Sequence, residues 1–109
     1  MTAVEADIFP TKLIIGGERV DAASGAVFSV INPATEETIA EVAEAGPTDV
    51  DRAVQSARST FESDAWRGIS ARKRGAMLYR LGELCQQHGD ELARLEALNN
   101  GKPIFESAM

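Results

Sequence analysis

Residues 96–109 read EALNNGKPIFESAM. Leu95 and Leu98 close a helical apolar pattern. Asn99-Asn100-Gly101 then supplies small polar residues and the glycine that ends many helices, and Pro103 opens a new element. Six residues follow that proline. An amphipathic helix is stable chiefly through what its apolar face packs on. A helix restarting this late implies that the segment belongs to a larger body.

The preceding residues strengthen that expectation. Asp90 is expected to cap a short helix carrying Leu92, Leu95 and Leu98. Ser70 opens a longer one whose apolar stripe is Met77, Leu78, Leu81, Leu84 and Cys85, with Gly89 as its stop. Between Glu62 and Gly68 the pattern breaks, and Trp66 is expected to pack against neighbouring helices. After Gly46-Pro47, Thr48 reads as an N-cap, with Asp49 and Asp51 in the first turn where the helix dipole favours acids. Val50, Ala53, Val54, Ala57 and Phe61 follow at helical spacing. Before Gly46 the period is two. Residues 12–15 and 18–20 flank Gly16-Gly17, a dipeptide suited to a tight hairpin turn. Residues 27–31 and 38–42 form a second extended pair around Asn32-Pro33, where proline disfavours helix in the residue before it. The prediction is an α+β segment: β-hairpins, then three to four helices. Two short hairpins are marginal alone, and each helix offers a single apolar stripe.

Length and composition bound the class. With 109 residues, 44% hydrophobic and 26% charged, the chain is one domain's worth of ordinary globular sequence. The formal net charge of -6 disfavours nucleic acid and acidic membranes as partners. The cationic run Arg72-Lys73-Arg74, with Arg67 and Arg80 nearby, reads as a solvated helix face. No apolar run approaches the roughly 20 residues of a membrane helix. Residues 1–11 read as a loose arm without signal or transit character, and 12–109 as one unit. A single cysteine, Cys85, precludes an internal disulfide and suits a reducing cytoplasm.

Catalytic constellations are sparse. Cys85 and His88 stand three apart in LCQQHGD, so a thiolate–imidazole pair is geometrically conceivable. Cys85 also continues an apolar stripe, where cysteine acts as a small hydrophobe, and that structural reading is preferred. One His and one Cys exclude a zinc site built from such ligands. Gly101-Lys102-Pro103 lacks the earlier glycine and the following Ser or Thr of a phosphate loop. There is no GxGxxG and no serine between flanking glycines. No catalytic and no cofactor-binding residue is assigned.

The order of phrases nevertheless resembles the N-terminal portion of the aldehyde dehydrogenase superfamily. The phrases are IIGGERVDAASGAVFSVINPATEETIAEV, DVDRAVQSARSTFE and WRGISARKRGAMLYRLGELCQQHGDELARLEALNNGKP, and the resemblance covers roughly Leu13 to Met109. The resemblance implies a truncated piece: the outer part of a Rossmann-type NAD-binding domain, with the family's chain running on past Asn-Gly-Lys-Pro. It implies an intact parent that oxidises an aldehyde to a carboxylic acid with NAD or NADP through a cysteine thiohemiacetal and thioester. That parent is expected to be cytoplasmic and homo-oligomeric, and the segment alone inactive. The family's nucleophile lies in a Gly-Gln-x-Cys context that Cys85 does not match, and Lys102 is not its cofactor lysine. Many members hold a structural Na+ or K+, and the matching positions here are Val30, Ile31 and Asn99. Asn99 replaces the family's common Asp with a neutral ligand, and plain helix capping remains its other reading. The rival to the dehydrogenase reading is a stand-alone interaction or oligomerisation module using the exposed helical stripes. A second rival is a small thiol enzyme built on Cys85 and His88.

Overall fold

The computed structural model describes residues 9–109; the first eight residues of the expected arm lie outside the described residues. Two antiparallel hairpins lead. Strands β1 (Leu13–Ile15) and β2 (Glu18–Val20) pair Leu13 with Val20 and Ile15 with Glu18. Gly16 and Gly17 make the turn at φ 62 and 82, a backbone conformation that a side chain resists. Strands β3 (Val27–Ile31) and β4 (Thr38–Ala43) pair in the same sense, with a bulge between Val30 and Ile31. The two hairpins do not join into one sheet.

Five helices follow: α1 (Pro47–Glu62), α2 (Asp64–Arg67), α3 (Ala71–Gln87), α4 (Gly89–Asn100) and α5 (Ile104–Ser107). The expected α+β order stands; the helix count rises because four-residue turns form at 64–67 and 104–107. Two boundaries differ from expectation. Helix α1 starts at Pro47 with Gly46 as N-cap, not at Thr48, because proline's fixed φ suits the first helical position. Gly89 does not end a helix but begins α4. The chain bends at His88, whose N–H still bonds Leu84 O at 3.0 Å, and Asp90 then falls in the first turn of α4. Ser70 caps α3 as expected, its Oγ accepting from Lys73 N at 3.3 Å.

Burial sets this segment apart from a self-sufficient domain. Among the described residues, the buried apolar side chains are Ala22, Ile39 and Ala93, two of them alanines. The Cα radius of gyration is 17.2 Å, against about 13 Å for a compact chain of this length. The accessible surface is 8279 Å² for 11.7 kDa, against about 5,900 Å² for a folded monomer of that mass. The apolar faces are formed but not covered.

Candidate functional site

Helix α3 carries an uncovered apolar face. Met77, Leu81 and Leu84 recur at four and three residues, so they share one side of the helix, flanked by Leu78 and Cys85. In a domain with its own core these would be interior. Here α3 has no buried residue, and Met77, Leu81 and Leu78 are 54%, 56% and 70% exposed. Leu92 of α4 and Ile104 and Phe105 of α5 are exposed as well. Monomers seldom leave so many large apolar groups to water unless the surface docks something. Charged pairs such as Arg80–Glu83 at 3.0 Å and Arg58–Glu62 at 3.7 Å remain solvent-exposed and add only a few tenths of a kcal/mol each.

Cys85 lies exposed within this region, where burial was expected. The reason is the open stripe it continues, whose leucines are themselves exposed. His88 Nδ1 and Glu91 Oε2 stand 3.3 Å apart, and with Leu84, Cys85 and Leu92 they line a shallow pocket of about 310 Å³. The remaining walls are leucines. Among the described residues no group of three or more His, Cys, Asp or Glu could hold a metal ion.

The three expected cation-site positions are only partly brought together. Val30 and Asn99 line one pocket of about 390 Å³ with Leu95, Glu96 and Asn100; Ile31 is exposed and outside that lining. Asn99 sits in the last turn of α4 and is not the cap. Gly101 is, at φ 77 and ψ 10, its N–H bonding Ala97 O at 3.0 Å. A Cβ on Gly101 would lie 3.1 Å from Pro33 Cγ, so the Asn-Pro turn and the Gly-Lys-Pro phrase meet at van der Waals contact. Lys102 secures the same corner: its N–H donates to Asn100 Oδ1 at 2.8 Å and its Nζ faces Glu96 Oε1 at 3.6 Å. The acidic group lining this pocket is thus already paired with a lysine. What Val30, Ile31 and Asn99 can offer a cation is neutral oxygen, which suits a monovalent ion more than a divalent one.

Asp49 is the residue that sequence reasoning undervalued. It is 2% exposed, the most buried large side chain among the described residues. Its carboxylate accepts from Ala23 N at 3.0 and 3.2 Å and from Gly46 N at 3.0 Å, with Arg52 Nη1 at 3.9 Å. One side chain therefore closes the N-terminus of α1 and fastens the 21–25 loop to it. Gly46 has no side-chain oxygen of its own, so the acid at N3 supplies the reach-back half of a capping box. The spacing Gly46-Pro47-Thr48-Asp49 signals that half, but nothing local marks the bond to Ala23.

A groove of about 520 Å³ separates the first hairpin from the helices, walled by Ile14, Ile15 and Gly16 on one side and Ala53, Ala57 and Phe61 on the other. Trp66 of α2 closes one end, 38% exposed, and Arg67 stands 5.9 Å above the Phe61 ring. Trp66, expected to pack against neighbouring helices, shares this groove with residues of α1 but stays partly exposed.

These features define a class: an α+β segment whose helices display apolar packing surface. The sequence profile of the aldehyde dehydrogenase family matches residues 20–109, and the chain belongs to that family. It is 44% identical over 109 residues to the phenylacetaldehyde dehydrogenase of Pseudomonas fluorescens, covering all of this chain and 22% of that protein. The NAD+ complex of the Bacillus cereus aldehyde dehydrogenase superposes with a TM-score of 0.90 at 43% identity, over 99% of this chain and 22% of that one. The betaine aldehyde dehydrogenase of Staphylococcus aureus, also solved with NAD+, gives a TM-score of 0.90 at 34% identity over 94% of this chain and 21% of its own. The chain thus spans about a fifth of the length of the relatives it matches. Among the described residues no helix is long and apolar enough to cross a membrane.

Proposed function

We propose that residues 12–109 form the outer part of the cofactor-binding domain of an aldehyde dehydrogenase that oxidises an aldehyde to the carboxylic acid. The observation that carries this reading is the backbone match to the NAD+-bound Bacillus cereus enzyme, over a segment whose α3 face is left uncovered. NAD+ or NADP+ receives the hydride in such an enzyme, and the attacking thiolate belongs to sequence outside this chain. The work of this chain's own residues is architectural. Asp49 and the Pro33–Gly101 contact hold the hairpins against the helices, while α3 to α5 present an apolar face for the cofactor-binding sheet. Cys85 is part of that face and not a nucleophile. The parent is taken to be cytoplasmic and homo-oligomeric; the lack of any disulfide within these 109 residues fits the first, and the second rests on the family resemblance. The carbonyls of Val30 and Ile31 with the Asn99 amide would hold a weakly bound Na+ or K+, completed by a ligand outside the chain.

The test is a covalent graft. Residues 1–109 replace the matching first fifth of the Bacillus cereus enzyme, and NADH formation with an aldehyde is followed at 340 nm. The proposal expects a soluble chimera with activity, and no NADH from the 109-residue chain alone. A folded chimera without activity, or aldehyde oxidation by the chain alone, would overturn it.

A further inference from the structure

The end of α4 holds a reactive dipeptide that the architectural role does not use. Of the three asparagines in the sequence, Asn32 precedes a proline, Asn99 precedes Asn100, and Asn100 precedes Gly101. An asparagine carboxamide is open to attack by the backbone nitrogen of the next residue, which closes a five-membered ring. Proline has no N–H to lose, so Asn32 cannot follow this route. A side chain on the next residue crowds the attacking nitrogen, which slows Asn99; Gly101 has none. Asn100 and Gly101 are both exposed, so water reaches them. The Lys102 N–H donates to Asn100 Oδ1 at 2.8 Å. That bond folds the carboxamide back over the Gly101 peptide and draws electron density from its carbon.

One contact opposes the reaction. Asn100 is the last residue of α4, and the Gly101 N–H is committed to Ala97 O at 3.0 Å. Bringing Gly101 N onto Asn100 Cγ requires Asn100 to leave its helical ψ, which breaks that bond. Pro33 backs the closed form, its Cγ 3.1 Å from where a Cβ on Gly101 would stand. We infer that Asn100-Gly101 is a self-modification site, which deamidates through a succinimide when the Gly101 cap opens and is slowed while the cap is closed. In the step, Gly101 N bonds to Asn100 Cγ and the Cγ–Nδ2 bond breaks; the Gly101 proton leaves with the ammonia by way of water. Water then opens the imide at either carbonyl. The product is aspartate or, with the backbone rerouted through Cβ and Cγ, isoaspartate. Either one adds a negative charge at the C-terminal end of a helix, where the dipole disfavours it, one turn from Glu96. Isoaspartate also inserts a methylene into the backbone beside Pro33. The contact between the Asn-Pro turn and the Gly-Lys-Pro phrase is thereby loosened in one direction only.

The test follows the 109-residue chain at neutral pH, with and without urea, by mass spectrometry of the peptide containing Asn100. Amide exchange at Gly101 N is read by NMR on the sample without urea. Both processes need the bond to Ala97 O broken. The slowing of deamidation without urea should therefore equal the exchange protection of Gly101, roughly ten-fold or more. Asn32 and Asn99 should stay unmodified over the period in which urea-treated Asn100 is converted. Pro33→Ala should lower the slowing and the protection together, by the same factor. An Asn100 that survives in urea as long as Asn99 would overturn the inference. So would a protected Gly101 amide beside an unslowed Asn100, or a Gly101 amide with no protection at all.

Discussion

Replacing Asp49 tests whether one buried carboxylate fastens the hairpin half of the chain to the helical half. In Asp49→Ala two backbone donors lose their acceptor, Ala23 N at 3.0 Å and Gly46 N at 3.0 Å, both part-buried. A donor stranded this way costs about 1–3 kcal/mol, and an acid in the first helical turn contributes about 0.3–1 kcal/mol more. Neighbouring water recovers some of this after the side chain is removed, so the net expectation is about 2–3 kcal/mol. Asp49→Asn keeps one acceptor oxygen and should lose about half as much. Native-state amide exchange followed by NMR reads this locally, without needing a single global transition. The Ala23 and Gly46 amides should exchange roughly 30- to 150-fold faster in Asp49→Ala. Gly101 N, bonded to Ala97 O at the far end of α4, should keep its rate. If the Ala23 and Gly46 amides exchange at the wild-type rate, or every amide accelerates together, the carboxylate is not a local fastener and the reasoning fails.

Three further outcomes follow from the same geometry. Gly101→Ala forces a Cβ to 3.1 Å from Pro33 Cγ at φ 77, and should cost about 1–3 kcal/mol in a urea titration of the graft; an unchanged midpoint would contradict the contact between the two phrases. Gly82→Ala fills open space on α3, so it should raise the helical circular dichroism of the free chain and stabilise α3 by about 0.5–1 kcal/mol; a loss of helicity would mean that the residue meets something the free chain hides. Cys85, exposed here, should react with a water-soluble disulfide reagent at the rate of a small free thiol in the isolated chain and become protected in the graft. Equal protection in both forms would show that the chain covers its own stripe.

Local structure was legible wherever a short-range pattern carried it. The Gly16-Gly17 turn, the Asn32-Pro33 turn, the Ser70 cap and the Gly101 stop each depend on residues within four positions of one another, and each stands where the sequence placed it. The misplaced boundaries have equally local causes. Thr48 has the cap oxygen, but Pro47 already has the helical φ, and the earlier start won. Gly89 was a plausible stop, yet α4 resumes at once, because Asp90 and Glu91 in its first turn favour a helix N-terminus. Asp49 was out of reach for a different reason. Its bond to Ala23 spans 26 residues, and a period or propensity argument carries no information at that range.

Burial was the least legible quantity, and it decides what the chain does. Periodicity identifies which side of a helix wants cover, and it placed Met77, Leu81, Leu84 and Cys85 together. It does not say whether the cover lies in the same hundred residues. Reading Cys85 as a buried hydrophobe assumed that it does; the exposed thiol shows that the stripe and its partner are separable. A catalytic site needs groups converging from several elements into a dry cavity; among the described residues the buried apolar side chains are two alanines and one isoleucine, and the helix faces stay open to water. Under the proposed function, the chain's contribution is therefore the surface it presents.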